Sequence, residues 1–298
     1  MRWAIRIAAV SFVVGAVGIF VLGAFAAEGA LHPQRLSVSL VCPCFAHVQC
    51  ESVAVSAADG VSLKGWYYHS DDPRPDVKAI ILLHGVGANR QDMVPLGNFF
   101  LHQGYSVLEP DLRGHGESGG FSSYGVLEEG DVRAWLDWLQ AGPNGPRVNR
   151  IYGFGASLGA SVLLESLKHE ARFRAVVAES PYFDFPSIAR ERIARPLPWG
   201  LRWVASPFVD SGLAWARWDH SVDLREASPA DGLRATNVPV YLIHGLEDNL
   251  TSPDNSRRLA ATHPGAEIWL VPGSGHADAW ATARVEFESR VTGWLARY

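Results

Sequence analysis

The stretch Arg150-Ile151-Tyr152-Gly153-Phe154-Gly155-Ala156-Ser157-Leu158-Gly159 places a serine between two glycines, each two residues away. It follows a short apolar run and precedes a helical pattern over residues 158–169. A strand ending at Gly153, a sharp turn and a helix opening at Leu158 form the context that presents a serine hydroxyl as a nucleophile. Such a turn strains its central residue, and only small neighbours let strand and helix approach that closely. The hydroxyl then sits at a helix N-terminus, where free N–H groups and the helix dipole favour charge developing on a substrate oxygen. Ser157 is the expected nucleophile, and the backbone N–H of Leu158 an expected oxyanion donor. Small residues are common, so the pentapeptide takes its meaning from its surroundings.

Those surroundings alternate. Short apolar runs at residues 79–83, 105–108, 150–153, 175–178, 240–243 and 268–271 are separated by helical patterns at 93–103, 125–140, 158–169, 253–262 and 279–296. Strand, helix, strand repeated in this way predicts an α/β domain with a mostly parallel sheet covered by helices on both faces. Ahead of it, Val53 to Ser56 and Val61 to Tyr68 flank Asp59-Gly60, which predicts an antiparallel hairpin leading into the sheet. Residues 181–237 break the rhythm, with several prolines, Trp199, Trp203, Trp215 and Trp218, and Arg190, Arg192, Arg195, Arg202 and Arg217. That is too long for a connection, and a helical cap over the strand ends is its expected use.

A serine hydroxyl needs a base to take its proton, and the base needs an orienting acid. Asp248 follows the run ending at Ile243, in His244-Gly245-Leu246-Glu247-Asp248, and His276 follows the run ending at Val271, in Pro272-Gly273-Ser274-Gly275-His276. Ser157, Asp248 and His276 thus stand in the order nucleophile, acid, base. Glu247 is the neighbouring competitor for the acid. After the first core strand, His84-Gly85-Val86-Gly87 can offer a second backbone donor, assigned to the N–H of Val86, while the His84 ring reads as a structural hydrogen-bonding group.

Taken together, His84-Gly85, Asp111-Leu112-Arg113-Gly114-His115-Gly116-Glu117-Ser118, the turn around Ser157, Gly245-Leu246-Glu247-Asp248 and Gly275-His276 give the chain from about Val53 onward a resemblance to the α/β-hydrolases. Within them it resembles membrane-tethered bacterial hydrolases related to the serine aminopeptidase-like proteins. The resemblance implies an α/β-hydrolase fold, with an eight-stranded, mainly parallel sheet and a variable cap. It also implies Asp248 rather than Glu247 as the acid, an architectural role for the Asp111 to Ser118 loop, and substrates spanning esters, thioesters and peptides.

The N-terminus is a separate feature. Arg2 and Arg6 precede an apolar run from Ile7 to Ala27 in which Ser11 is the clearly polar side chain. As a helix it is about long enough to cross a bilayer core of roughly 30 Å. Residues 1–28 are read as a membrane anchor, with a cleaved signal as the alternative because Ala24-Phe25-Ala26 precedes Ala27. The arginines favour a cytoplasmic N-terminus, placing the catalytic domain outside the cytoplasm. Residues 29–50 form a connector with Cys42, Cys44 and Cys50, one pair of which could close a disulfide in an oxidising compartment; the sequence does not choose the pair. Residues 51–298 form the hydrolase domain.

Composition narrows the partners. At 298 residues, 48% hydrophobic, with formal net charge −5 and interspersed charges, the chain offers no basic run for nucleic acid. Its 11 histidines are scattered without metal-ligand spacing, so neither metal nor organic cofactor is expected. The expected partner is a small acyl substrate, lipid-like if the tryptophans and arginines of the cap form an apolar pocket with a cationic rim, together with the membrane. Two other readings remain: a hydrolase-fold binding module without turnover, and an oxidoreductase in which Gly153, Gly155, Gly159 and Glu179 imitate a dinucleotide fingerprint.

Overall fold

A computed structural model describes residues 2–39, 41–43, 48–70, 78–141 and 145–298. After α1 (Arg2–Leu31) come the hairpin β1 (Cys50–Ser56) and β2 (Ser62–Tyr68), then β3 (Lys78–Leu83), α2 (Val94–His102), β4 (Ser106–Pro110), α3 (Glu128–Ala141) and β5 (Arg150–Ala156). The chain continues through α4 (Leu158–Ser166), β6 (Phe173–Glu179), α5 (Phe185–Ala194), α6 (Ala205–Asp219), α7 (Pro229–Ala235), β7 (Val240–Gly245), α8 (Asp254–Ala260), β8 (Ala266–Val271), α9 (Ala279–Thr282) and α10 (Arg284–Leu295).

One eight-stranded sheet runs in the order β1-β2-β4-β3-β5-β6-β7-β8. The strand β2 is antiparallel to both its neighbours, and every other pair is parallel. From β3 the chain steps outward to β4 and then returns to lay β5 on the other side of β3. This reversal opens a crevice beyond the carboxyl ends of β3 and β5, where open α/β sheets bind ligands.

Side chains alternate across the sheet as the pleat requires. On β3, Ala79, Ile81 and Leu83 point into one core with α3, α4, α7 and α8. Ile80 and Leu82 point into the other with α2 and α10.

Four local features depart from the pattern of the sequence. Strand β5 runs past Gly153 to Ala156, directly against Ser157. Its Gly155 serves close approach: a Cβ there would lie 2.4 Å from the carbonyl carbon of Gly159, and a Cβ on Gly159 would lie 2.2 Å from the oxygen of Leu83. The helix expected over residues 279–296 is two, broken at Ala283 (φ −132°, ψ 46°). The break accompanies edge-on packing of Trp280 against Phe287, with ring centroids 5.4 Å apart, beside Phe99.

Third, α5 and α6, joined by a 3-10 turn at Trp199–Val204, pack together as the cap, whereas α7 packs on α4 as part of the sheet's cover. Fourth, α1 does not stop at residue 28: it runs on to Leu31, whose side chain is fully buried in the first core. In the connector, Cys42 and Cys50 form a disulfide that fastens it to the start of β1. Cys44 lies outside the described residues.

Candidate active site

The end of β5 delivers Ser157 in a conformation that L-residues rarely adopt (φ 54°, ψ −112°). Two backbone bonds hold it there: Ser157 N donates to Glu179 O at 2.8 Å, and Ser157 O accepts from Ser161 N at 3.1 Å. The site therefore carries local backbone strain held by β6 on one side and α4 on the other.

The loops after β7 and β8 are pressed together. A Cβ on Gly245 would lie 2.2 Å from Gly275 O, and Glu247 N donates to Ser274 O at 2.9 Å. This contact brings Asp248 and His276 to Ser157. Asp248 Oδ2 accepts from His276 Nδ1 at 2.7 Å, and His276 Nε2 lies 2.7 Å from Ser157 Oγ. With Nδ1–H facing the carboxylate, Nε2 is the acceptor for the serine hydroxyl.

Asp248 is buried and well satisfied. Its Oδ1 accepts from Leu250 N and Thr251 N, both at 2.8 Å, and its Oδ2 also lies 3.2 Å from His244 Nε2. Burial alone would raise its pKa. Hydrogen bonds from His244, His276 and the Thr251 backbone outweigh that and hold the carboxyl far below its usual range. Glu247, the competitor, is exposed.

Sequence reading gave His244 no role, yet its fully buried ring braces Asp248. Its Nε2 faces the Asp248 carboxylate and Thr251 O (2.9 Å), both acceptors, so this nitrogen carries the proton. The i, i+4 spacing of His244 and Asp248 was the available signal. Glu179 was also missed in this capacity. Its Oε1 accepts from Ala279 N at 2.8 Å, and Ser180 Oγ accepts from Ala277 N at 3.1 Å, so the end of β6 holds the loop carrying His276. Burial pushes the Glu179 carboxyl up to about 7, partly offset by the Ala279 N–H.

The predicted oxyanion donors flank the serine. Leu158 occupies the first position of α4, where a backbone N–H has no partner within the helix. Val86 follows Gly85, whose Cβ position would lie 3.5 Å from Ser157 Cβ. His84 fixes this turn: Nε2 accepts from Leu112 N at 3.1 Å, which leaves the proton on Nδ1 to donate to Gly85 O at 2.8 Å. Burial, aided by nearby His115, lowers the His84 pKa to about 3, so the ring stays neutral. The Asp111 to Ser118 loop is braced in turn by Asp111, which accepts from Arg90 N and Glu117 N, both at 2.8 Å.

A cavity of about 210 Å³ opens onto Ser157, Leu158 and Val86. Its walls are apolar, from Tyr182 and Phe185 across α5 and α6 to the end of α1, with Arg192 among its lining residues. Among the described residues, Glu28, Asp219 and His220 form the one group of acidic and histidine side chains close enough to share an ion. That group lies at the junction of α1 and α6.

Such a fold and site define an α/β-hydrolase architecture, and comparison with known proteins agrees. Residues 80–288 match the profile of the alpha/beta hydrolase family, and the chain belongs to that family. It is similar to the uncharacterized protein YfhR of Escherichia coli (strain K12), 28% identical over 243 residues, covering 78% of this chain and 75% of that protein. The uncharacterized protein YqkD of Bacillus subtilis (strain 168) is 25% identical over 255 residues, covering 84% and 81%. A thermostable monoacylglycerol lipase of Bacillus sp. (strain H-257) is 27% identical over 112 residues, 37% of this chain and 43% of that one. Among solved structures, the esterase Pf2001 of Pyrococcus furiosus superposes with a TM-score of 0.69 at 27% identity, covering 89% of this chain and 99% of that one.

Proposed function

We propose that the protein is a serine hydrolase that cleaves acyl esters through a covalent acyl-enzyme. The observation that carries this reading is the continuous relay Asp248 Oδ2, His276 Nδ1, His276 Nε2, Ser157 Oγ, with both contacts at 2.7 Å and Ser157 lining an apolar cavity. The similarity to an esterase over most of the chain supports the reaction, and the partial similarity to a monoacylglycerol lipase supports an ester with an acyl chain.

The mechanism follows from the geometry. Ser157 Oγ attacks the ester carbonyl carbon as His276 Nε2 takes its proton. The negative charge moves to the carbonyl oxygen, facing the N–H groups of Leu158 and Val86. Asp248 keeps the proton of His276 on Nδ1 and stabilises the ring once it is charged. Collapse expels the alcohol, which takes the proton from Nε2, and leaves an ester to Ser157. Water then repeats the cycle with His276 as base, releasing the acid and restoring the serine.

The helix within α1 at Ile5–Leu31 is long and apolar enough to cross a membrane, and only 12% of its most apolar window is buried, unlike a core helix. Its exposed side chains include Phe12, Val14 and Phe25, which favours lipid as their surroundings. We read it as a single span with the arginine-flanked end in the cytoplasm and the catalytic domain outside.

Labelling with a fluorophosphonate and turnover of p-nitrophenyl acyl esters test the proposal. The native chain is expected to label and turn over, and Ser157→Ala to lose labelling and at least about three orders of magnitude in turnover. Failure of the folded native chain to label would favour the binding module instead.

A further inference from the structure

Part of the wall of the cavity at Ser157 comes from the N-terminal helix α1. Gly23, Ala26, Ala27 and Ala30 of α1 line it together with Ile188 of α5 and Leu213 of α6. The contact between α1 and α6 is close because both helices are small there. A Cβ on Gly23 would lie 2.6 Å from Phe208 O, and one on Gly212 would lie 2.9 Å from Gly23 O and 3.5 Å from Ala27 Cβ.

Polar bonds then fix the register. Glu28 Oε1 accepts from Trp215 Nε1 at 2.6 Å and from His220 Nε2 at 2.7 Å. Tyr124 OH donates to Ala30 O at 3.2 Å, and Ser211 Oγ, whose proton goes to Phe208 O at 2.7 Å, lies 3.3 Å from Ile19 O. The Glu28, Asp219 and His220 group is accounted for by this clamp.

Length sets where the wall stands relative to a bilayer. A hydrocarbon core of roughly 30 Å holds about 20 helical residues, so a span that begins after Arg6 reaches about Ala26. The lining residues Gly23 to Ala30 therefore straddle the boundary where the helix leaves the core. The cap that α1 grips carries exposed Trp199, Trp203 and Trp218, ring types suited to the headgroup layer.

We propose that α1 is the acyl-binding wall of the site, and that the chain of a bilayer-resident ester reaches Ser157 along its Gly23, Ala26, Ala27, Ala30 face. This rests on the serine-hydrolase reading above and deepens it. The working form keeps its helix: a cut between Ala26 and Ala27 would remove Gly23 and Ala26 from the cavity and Gly23 from its contact with α6. The helix tethers the enzyme and also shapes what it accepts.

The test uses the full chain in nanodiscs and a fluorophosphonate with a long alkyl chain ending in a diazirine. After Ser157 is labelled and the sample irradiated, mass spectrometry maps the crosslinks. Crosslinks within residues 23–30 support the proposal. Labelled Ser157 with crosslinks only elsewhere overturns it while leaving the hydrolase reading intact, and absence of labelling overturns both.

Ala30→Phe gives a second readout: each methylene shut out of an apolar pocket lowers binding roughly four-fold. The ratio of kcat/KM for a twelve-carbon to a two-carbon ester should then fall about ten-fold or more, while Leu22→Phe, on the exposed side of the helix, keeps it. An unchanged ratio in Ala30→Phe, or isolation of fully active protein beginning at Ala27, counts against the wall.

Discussion

Replacing Asp248 by Asn tests the relay without removing bulk. In the native site Oδ1 accepts from two backbone N–H groups, Leu250 and Thr251, and Oδ2 faces the imidazole nitrogens of His276 and His244. The amide oxygen of Asn must take the Oδ1 position, because an NH₂ group there would meet two N–H donors. The NH₂ group is then set 2.7 Å from His276 Nδ1, which can stay only by becoming an acceptor. Its proton moves to Nε2 and faces the Ser157 hydroxyl, so the ring no longer accepts the serine proton. A histidine held in the wrong tautomer lowers kcat at such a site by about 10⁴, or about 5.5 kcal/mol at 1.36 kcal/mol per tenfold. The assay is steady-state ester turnover beside the rate of fluorophosphonate labelling, with Glu247→Gln as the comparison. Both readouts should fall together in Asp248→Asn and hold in Glu247→Gln. A correctly folded Asp248→Asn enzyme within about tenfold of native kcat would refute the tautomer argument.

Two further outcomes follow from burial and close approach. The Glu179 carboxyl, raised from 4.5 to about 7, binds its proton more tightly folded than unfolded, so its contribution to stability is full below about pH 4.5 and is lost as pH rises through about 7. Glu179→Gln keeps an acceptor for Ala279 N but cannot ionise; relative to native its unfolding free energy should gain up to about 3 kcal/mol between pH 5 and pH 8.5, and denaturation curves that stay parallel would contradict this. Gly155→Ala drives a Cβ to 2.4 Å from the Gly159 backbone and should cost about 3 kcal/mol or more. Thermal melting should register it as a drop of about 6–12 °C, and a change under about 2 °C would mean that α4 can move away from β5.

The sheet was readable because its signals are local. Apolar runs between helical patterns marked the parallel strands, Asp59-Gly60 marked the hairpin, and the loops after Ile243 and Val271 carried the acid and histidine that the fold brings to Ser157. What was not readable depended on distant contacts. The end of β5 contains Gly153 and Gly155, which weaken strand propensity, and the close packing of α4, with Phe173 of β6 beside Gly153, accounts for them. The break at Ala283 sits on a good helix former, so composition predicts continuity there. It accompanies Trp280 turning onto Phe99 and Phe287.

The N-terminal helix is the most instructive case, because hydropathy measures a preference for leaving water and says nothing about what replaces it. Phe12, Phe25 and Leu22 are exposed in the folded chain, whereas Gly23, Ala24 and Ala27, in the same apolar run, are buried against protein. Lipid tails and an apolar pocket satisfy such residues equally well, so a span and a pocket wall are written alike. What separates them is side-chain size: the face that meets α6 is built from Gly and Ala, small enough for backbone contact and for a cavity beside it. Glu28 then becomes intelligible. A carboxylate closing an apolar helix looks like the point where a chain re-enters water, yet here it is bonded to Trp215 and His220 and locks the helix to the cap. An acidic residue directly after a run of small side chains is thus a sign, legible in retrospect, that the helix continues into the domain that follows it.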